Sequence, residues 1–550
     1  MTATGHRLTG LSLVVALLTA VRPEVRTQGL HPHTPVVSGA PDGIPLFCAQ
    51  PSVATVNNGP WSDPATWSTL RVPRGNDRVR IDARHTVSYD VSSDEALACV
   101  EVQGRLAFST TRHTRMTVIT LMVLEDGALE IGTPGNPLPE HVTAEVVIAD
   151  RPFDVAMDPH QFGHGVVALG RVTLQGAPKS PTFLRLAREA RAGERTLTVE
   201  HAVEGWRQGD RLVLPDTRRL LQPGERGVNE DAQDETVEIA SVSGSEITLA
   251  APLAFNHLDG RDARGRIGFL PHVGNLSRNI VVRSENPAGV RGHTIFVSRS
   301  DVDIRYAAFR DLGRTRHGPL DNTHLGPPGQ LTHIGTNQIG RYAVHFHHTF
   351  GPRVRPANGY QFTLVGNAVE NSPKWGVTVH QSHYGLVQHN VVYRTRGAAV
   401  VAEDGTESFN VFDHNFSVRI EGSSEPGERS QYGGPAADDG DEGSGFWFRG
   451  PNNYIRNNVV ANGDAYGYAL APYSSGLVRF PRFQGADTSL PTEGVLVDTQ
   501  GAAVLEFSSN EAYGTPQSFS WCLGCPGYPA WAGSDRPAAD SGSPQRGSKP

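Results

Sequence analysis

The residues best suited to chemistry in this chain are ionisable side chains at matching points of a repeated segment. Asn367 and Asn390, which each open a short alternating stretch, are 23 residues apart, and so are His380 and Glu403. A period of this size indicates a solenoid in which each repeat forms one coil. Coils of a parallel β-solenoid stack about 4.8 Å apart, so groups one period apart lie almost directly above each other. Such an alignment of ionisable groups is more typical of a site than of a scaffold.

Strand alternation predicts which of these side chains face outward. In the segment 344–347, the two apolar residues fill the inside of the coil, and His345 and His347 point outward. His380 faces outward by the same rule, and a step of 23 places Glu403 beside it. A rival register, defined by Gly376 and Gly397, would place Val401 there instead. We prefer the step of 23 because it keeps the carboxylate out of the core, and we predict that the catalytic residues are His345, His347, His380, Glu403 and Asp404.

This polar stripe is suited to cleavage of a polysaccharide that lies along the solenoid. Hydrolysis requires a proton donor for the leaving oxygen and a carboxylate as base or nucleophile, and histidine can share this work. Lyase chemistry would instead use His347 or His380 as base, with Arg341 or calcium neutralising a uronate carboxylate. A third interpretation is a zinc site formed by the three histidines. The plainest alternative is a solvated surface without a ligand.

Composition and chain ends restrict the class of protein. The 550 residues contain 60 glycines, 39 prolines and four cysteines and carry a net charge of −8. This predicts many short strands and turns and gives no reason to expect a nucleic-acid partner. The apolar run 8–21 is too short to span a bilayer but suits a signal peptide, and no other stretch could cross a membrane. We therefore expect an exported protein, in which Cys48 and Cys99 could pair.

Changes of pattern along the chain predict six segments. They are a signal peptide (1–22), a Pro-rich lead-in (23–54), a β-rich front domain (55–178), a small β insert (179–260), a β-solenoid (265–515) and a disordered tail (526–550). Cys522 and Cys525 form a C-x-x-C motif, which we interpret as a local disulfide or two free thiols because zinc would need a second such pair.

The front domain resembles the G8 (G-eight) domain, which is named for its glycines. The motifs that carry this resemblance are Trp61–Trp67, Val72-Pro73, Val79–Ile81, Leu129–Thr133, Asp158–Gly163 and Leu174–Lys179. Later segments resemble, in order, the motifs of the cell-surface or cell-migration-inducing hyaluronidase family. These segments are Asn275–Asn279, Gly340–His347, Val377–His380, Glu403–Gly405 and Pro451–Asn453 with Asn457-Asn458. The family pattern has Gly-His ahead of its Glu-Asp-Gly, whereas this chain has Gly397-Ala398.

The resemblance implies a right-handed parallel β-helix of the pectin lyase-like type behind the G8 domain. It also implies that the chain binds or depolymerises hyaluronan or a similar acidic polysaccharide, with calcium as a possible requirement. We expect the substrate-binding residues to be Arg341, Trp375, Trp447, Asn452 and Asn453. Weak candidates for calcium ligands are Asp438, Asp439, Asp441 and Glu442, although their spacing favours a solvated acidic loop over a calcium site.

Two further functions compete with the enzyme. One is a non-catalytic carbohydrate-binding or adhesion protein that uses the same groove, and the other is a structural solenoid stalk. The arginines between 283 and 355 could attract a polyanion or form an ordinary charged surface. We interpret the repeated asparagines 367, 390 and 415, with 457 or 458, as a structural ladder of stacked amides.

Overall fold

The structure is a computed structural model that describes residues 44–218, 232–327, 329–349, 351–352, 354–422, 440–471, 477–480, 495–498 and 502–521. Regular structure in these ranges is β-strand apart from one 3-10 turn, Pro64–Thr66, which Asp63 caps by accepting a hydrogen bond from the Ala65 amide. The predicted all-β class is thus confirmed. In these ranges no helix is long and apolar enough to cross a membrane. The predicted signal peptide, the disordered tail, Cys522 and Cys525 lie outside the described residues.

The front of the chain forms short parallel strands. They are β1 (Val53–Ala54), β2 (Gly59–Pro60), β3 (Arg78–Ile81), β4 (Thr86–Tyr89), β5 (Leu97–Val102), β6 (Arg105–Phe108), β7 (Thr114–Val123), β8 (Ala128–Ile131), β9 (Ala144–Ile148), β10 (Gly165–Ala168) and β11 (Arg171–Gln175).

An antiparallel insert follows at the place predicted for it. Its strands are β12 (Phe183–Arg185), β13 (Thr196–Thr198), β14 (Arg211–Leu214), β15 (Glu235–Ser243), β16 (Glu246–Leu249), β17 (Gly260–Arg261), β18 (Ile267–Phe269) and β19 (His272–Asn275). Six of them form one sheet with an apolar core of its own, and β17 and β18 pair separately. The insert therefore continues to Asn275, beyond the predicted end at 260.

The rear of the chain again consists mainly of parallel strands, and its strands include two antiparallel pairs. They are β20 (Ile280–Ser284), β21 (His293–Ser298), β22 (Asp301–Arg305), β23 (Ala307–Arg310), β24 (His324–Gly326), β25 (Gln330–His333), β26 (Val344–Thr349), β27 (Phe362–Val365), β28 (Ala368–Ser372), β29 (Val377–His380), β30 (Gly385–Gln388), β31 (Val391–Arg396), β32 (Ala398–Ala402), β33 (Val411–Asp413), β34 (Phe416–Glu421), β35 (Ser444–Phe448), β36 (Tyr454–Arg456), β37 (Val459–Gly463), β38 (Tyr466–Leu470), β39 (Leu477–Phe480), β40 (Val495–Asp498), β41 (Glu506–Ser508), β42 (Glu511–Tyr513) and β43 (Gln517–Trp521). Two antiparallel hairpins, β24–β25 and β39–β40, interrupt the series.

The parallel strands stack in three ladders, which are the faces of a parallel β-helix. The first face runs from β1 through β3, β5, β7, β10, β21, β26, β29, β32, β35 and β38 to β43. The second runs from β7 through β9, β20, β23, β28, β31, β34 and β37 to β42. The third runs from β2 through β4, β6, β8, β11, β22, β27, β30, β33 and β36 to β41. The predicted parallel β-helix is confirmed.

The front domain and the later coils share one core. Strand β10 pairs with both β7 and β21, and β11 pairs with both β8 and β22. A single cluster of buried apolar side chains accordingly extends from Val53 to Leu470. The predicted boundary between the front domain and the solenoid is therefore the insertion point of the antiparallel sheet, not a break in the core.

A ladder of asparagines holds the coils in register where the third face turns into the second. The Asn367 backbone and side-chain nitrogens both donate to Asn390 Oδ1, and Asn390 donates in the same way to Asn415. Asn415 repeats the pattern with Asn458, and Asn458 with Asn510. The predicted ladder is confirmed, with Asn458 rather than Asn457 as its member. Each buried amide satisfies a polar group that would otherwise be costly inside the helix.

The end of the Pro-rich lead-in is packed against the β-helix. Ile44, Phe47 and Cys48 are buried against the outer side of the first face. Cys48 forms a disulfide with Cys99 of β5, as predicted, and this bond closes a segment of 51 residues. The described end of the lead-in, from residue 44, therefore packs on the first coils and is attached to them covalently.

We predict that Asn415→Ala lowers the free energy of unfolding by about 3 kcal/mol, because two donors of Asn390 lose their acceptor inside the helix. Asn256→Ala is the control, since Asn256 is exposed and accepts one bond from the Ala192 amide. Chemical denaturation of both variants measures the difference. Equal effects would show that the ladder adds no special stability.

We predict that removing the Cys48–Cys99 bridge with Cys99→Ser costs about 2 to 4 kcal/mol, since a cross-link over 51 residues restricts the unfolded chain. A reductant should destabilise the unmodified protein and Cys522→Ser/Cys525→Ser alike, but not Cys99→Ser. A reductant response that survives in Cys99→Ser would assign the effect to another thiol pair.

Candidate active site on the first face

The predicted polar stripe lies where the strands of the first face end. Strand β26 pairs with β29 so that His347 lies opposite His380, and β29 pairs with β32 with Val379 opposite Ala402. Glu403, the next residue, donates its amide to the Val379 carbonyl at 3.0 Å and so lies above His380. The step of 23 residues is confirmed. The rival register is wrong, since Val401 lies opposite Thr378.

His380 is the centre of a compact cluster. Its Nε2 lies 2.8 Å from Asp404 Oδ2, and its Nδ1 lies 3.3 Å from Glu403 Oε2. The Nδ1 atoms of His347 and His380 are 3.2 Å apart. His348, which the sequence did not single out, stacks its ring on His347 with centroids 4.1 Å apart. The structure therefore brings three histidines and two carboxylates into direct contact; their catalytic roles stay predictions.

The carboxylates set the charge of this cluster. Burial opposes a charge on His380, but the negative charges of Asp404 and Glu403 outweigh it and raise the pKa of His380 to about 10. Burial likewise opposes ionisation of Asp404, yet its charge interaction and hydrogen bond with His380 hold its pKa well below its usual range. His380 and Asp404 thus form an ion pair at neutral pH.

The turn after β32 contains a carboxylate that sequence reasoning missed. Glu407 is fully buried and accepts hydrogen bonds from the amides of Gln381, Asp404 and Gly405. Burial and the nearby charge of Asp404 raise the pKa of Glu407 to about 7. Gln381 also donates from Nε2 to Asp404 at 2.6 Å. Glu407 is the third acid in the segment 403–407, and that density of acids was the available signal.

His345 points away from the core as predicted, yet it does not reach solvent. Its side chain is fully buried, and its Nδ1 lies 2.9 Å from the Gly340 carbonyl oxygen. Burial, followed by the positive charge of His380, keeps its pKa well below the ordinary value. His345 is therefore neutral, and its ring stacks at 5.9 Å from that of His380.

Long insertions cover the outer side of this face, and this explains the burial of His345. They occupy the turn from the second face to the first, and their described parts comprise 149–164, 311–327, 329–343 and 440–443. Their described parts bind one another: Thr323 donates to the Pro159 carbonyl, and Arg314 donates to the carbonyls of Gln161 and Gly163. Sequence alternation could not reveal this cover, because it comes from distant segments.

The same cover buries two tryptophans that are wrongly predicted to bind substrate. Trp375 and Trp447 are buried with rings stacked 6.2 Å apart, and Trp375 donates its indole N–H to the Gly440 carbonyl. Neither ring has a face open to a sugar. Ala398 lies in the same apolar cluster, roughly 16 Å along β32 from Glu403. The departure from the family pattern at Ala398 therefore leaves the His380 cluster intact.

Arg341 is also wrongly predicted to bind substrate. Its buried guanidinium donates to the carbonyls of His160, Gln161 and Ile339 and lies 4.0 Å from the Phe162 ring centroid. It fastens the segment 158–164 instead. Other arginines considered for polyanion binding are paired with acids on different faces, Arg305 with Asp303 and Arg310 with Glu370. Arg353 lies outside the described residues. The charges of Arg305 and Arg310 are thus balanced by neighbouring acids on two separate faces.

The remaining predicted residues have separate positions. Asn453 is buried in a second amide ladder, where it accepts hydrogen bonds from Asn410, so it is wrongly predicted to bind substrate. Asn452 is partly exposed, and its role in substrate binding stays a prediction.

The predicted calcium ligands are only partly described, because Asp438 and Asp439 lie outside the described residues. Asp441 forms an ion pair with buried Lys374 at 2.9 Å, which already balances its charge, and Glu442 is partly exposed. Calcium binding by these acids stays a prediction.

Comparison with protein families agrees with this architecture. Residues 66–187 match the model of the G8 domain, and residues 329–513 match the model of the CEMIP beta-helix. The first match covers the front coils, and the second contains β26, β29 and β32 and thus the whole His380 cluster.

The chain also resembles individual proteins, each at a sequence identity of 27% or less. Human fibrocystin-L is 27% identical over 441 residues, which cover 74% of this chain and 10% of that protein. The human cell migration-inducing and hyaluronan-binding protein is 25% identical over 318 residues, or 54% of this chain and 22% of that protein. Among solved structures, the tailspike gp49 from Pseudomonas phage LKA1 matches 70% of this chain and 46% of its own at 10% identity and a TM-score of 0.17.

The chain thus corresponds to less than a quarter of the length of these two human relatives. Within that length it contains both matched units, and the coils of the G8 match pair directly with those that follow the insert. The chain therefore combines a match to the G8 domain with a match to the CEMIP beta-helix, and it is similar to proteins of both names.

Proposed function

We propose that this protein binds an acidic polysaccharide of the hyaluronan type at the His380 cluster and depolymerises it as a glycoside hydrolase. The observation that carries the proposal is the placement of His380 between Glu403 and Asp404, with His347 in contact, at the end of one β-helix face. His347 and His380 keep part of their surface open. A relative of 25% identity is named for hyaluronan binding, which supports this class of ligand.

The contacts divide the work between the two carboxylates. Asp404 has 4% of its side chain exposed and is held by His380 and Gln381, so it positions the imidazole. Glu403 has 9% exposed and lies beside the other nitrogen of the same ring. We assign Glu403 as base or nucleophile and His347 as the proton donor to the leaving oxygen, the two functions that hydrolysis requires. The positive charge of His380 also offsets part of the negative charge that would repel a polyanion.

The turn after β32 keeps this arrangement rigid. Glu407 accepts the amides of Asp404 and Gly405 and so fixes the backbone that carries Glu403 and Asp404. On the next coil, Arg449 occupies the position that corresponds to Glu403, because its amide donates to the Ala402 carbonyl. Catalysis depends on such preorganisation, and a site without chemistry would gain little from it.

The proposal includes export of the protein. The Cys48–Cys99 disulfide is typical of an oxidising compartment, and the apolar run near the start of the sequence suits a signal peptide. A hyaluronan-type substrate would be met outside the cell.

A second function is non-catalytic binding of the same polysaccharide. The name of the human relative refers to hyaluronan binding and to no cleavage. The two functions differ in one measurement: binding alone leaves the length of the polysaccharide unchanged. Incubation with hyaluronan, chondroitin and pectin-type substrates, followed by sizing of the chains, separates them. Ultraviolet absorbance of unsaturated uronates would reveal a lyase.

We predict that Glu403→Gln reduces cleavage of hyaluronan at least about 100-fold, because the amide cannot act as base or nucleophile, while affinity for the polymer changes little. Size-exclusion chromatography of the products and a binding assay measure the two effects. The control is Glu246→Gln, an exposed glutamate in the insert, which should leave both values unchanged. Cleavage at the normal rate by Glu403→Gln would exclude Glu403 from the mechanism, and intact hyaluronan with the unmodified protein would leave only the binding function.

A further inference from the structure

We propose that His345, His347 and His380 bind one divalent transition-metal ion of the zinc class. Each histidine offers a ring nitrogen, and the three nitrogens lie within 4.8 Å of one another. The residues come from β26 and β29, adjacent strands of the first face. Strands in a packed core are rigid supports, so the nitrogens do not depend on a mobile loop for their position.

His345 supplies the observation that points to a ligand. A carbonyl oxygen only accepts, so the Nδ1 atom beside the Gly340 carbonyl must carry a hydrogen. This fixes the tautomer and leaves a lone pair on Nε2. In the described part of the chain, that buried Nε2 makes no hydrogen bond. A buried polar atom without a partner is costly, and a metal ion would satisfy it.

His380 has the second contact that is usual for a metal-binding histidine. Its Nε2–H donates to the Asp404 carboxylate at 2.8 Å, which orients the ring and directs Nδ1 toward His347. A bound ion would replace the proton that Nδ1 carries in the metal-free protein. Carboxylate–histidine–metal arrangements of this kind fix the ring and increase its basicity. Asp404 is itself held by Gln381 at 2.6 Å, so the support extends one layer further.

The spacing of the ligand atoms fits a small tetrahedral ion. With zinc–nitrogen bonds of about 2.0 to 2.1 Å, two ligands of a tetrahedral site are roughly 3.3 Å apart. The Nδ1 atoms of His347 and His380 are 3.2 Å apart, and Glu403 Oε2 is 3.3 Å from the latter. Glu403 is thus near enough to be a fourth ligand or to lie beside an open position.

The chemistry of the ligands selects the class of metal. Imidazole nitrogens suit zinc, copper, nickel and iron, whereas calcium takes six to eight oxygen ligands. The carboxylates of Glu403 and Asp404 favour a positive charge at this point, which a divalent ion supplies. Metal binding itself does not rest on the proposed function. The part that does is the use of an open coordination position for an oxygen of the polysaccharide.

The test uses the full-length protein, stripped with a chelator and without polysaccharide. Zn²⁺ is titrated by calorimetry, bound metal is counted by mass spectrometry, and Co²⁺ provides an absorption spectrum that reports nitrogen ligation. We expect one Zn²⁺ per chain, no calcium at this site, a visible Co²⁺ spectrum and a rise in Tm with Zn²⁺. His347→Ala should weaken Zn²⁺ binding at least about 100-fold and abolish the spectrum.

The matched control is His333→Ala, which alters a second histidine pair, His324 and His333, on the exposed hairpin β24–β25. It should leave the stoichiometry and the spectrum unchanged. His380→Gln serves as a second variant, and circular dichroism checks that each variant is folded. Absence of Zn²⁺ binding and of a Tm rise in the unmodified protein would overturn the inference. So would Zn²⁺ binding that survives in both His347→Ala and His380→Gln, or that is lost only in His333→Ala.

The outcome separates this inference from the proposed function. One bound Zn²⁺ together with no binding or cleavage of hyaluronan would support the metal site and reject the polysaccharide. Cleavage by zinc-free protein that binds no Zn²⁺ would support the polysaccharide function and reject the metal site.

Discussion

Stacking of parallel coils in one register is the constraint on which the rest of the structure depends. Side chains alternate between the two sides of a strand, so a slip of one residue would exchange the inner and outer sets. The register aligns His347, His380 and Glu403 on three successive coils. The same register continues through the front coils, whose strands pair directly with later ones. Fold and candidate site therefore have a common origin.

The buried amides make this register specific. Apolar side chains fill the interior but tolerate small shifts, whereas each asparagine must reach the amide of its counterpart on the next coil. Asn415, for example, accepts two bonds from Asn390 and donates two to Asn458. These bonds lie at the turn from the third face to the second, whereas the His380 cluster lies at the other end of the third face, where the first face ends. A cluster that needs ångström precision is thus supported by polar contacts distant from it.

The cluster itself is formed by a turn as much as by strands. Glu403 and Asp404 follow β32, and the buried carboxylate of Glu407 fixes their backbone. Insertions at another turn cover the rings on the first face, which excludes water from His345, Trp375 and Trp447. His347 and His380 keep part of their surface exposed beside these buried side chains. This enclosure strengthens the interactions between His380 and its carboxylates.

The sequence by itself determined the solenoid, the 23-residue step and the outward stripe, because periodicity and alternation are local properties of a chain. It also indicated the asparagine ladder and the Cys48–Cys99 pair. Tertiary structure decided what surrounds each side chain. Arg341, Trp375, Trp447 and Asn453 have chemical types suited to a sugar, yet distant segments bury them. Glu407 was overlooked because its role depends on amides that only the folded turn brings together. Burial and hydrogen-bond partners come from contacts far apart in sequence, and no local pattern encodes them.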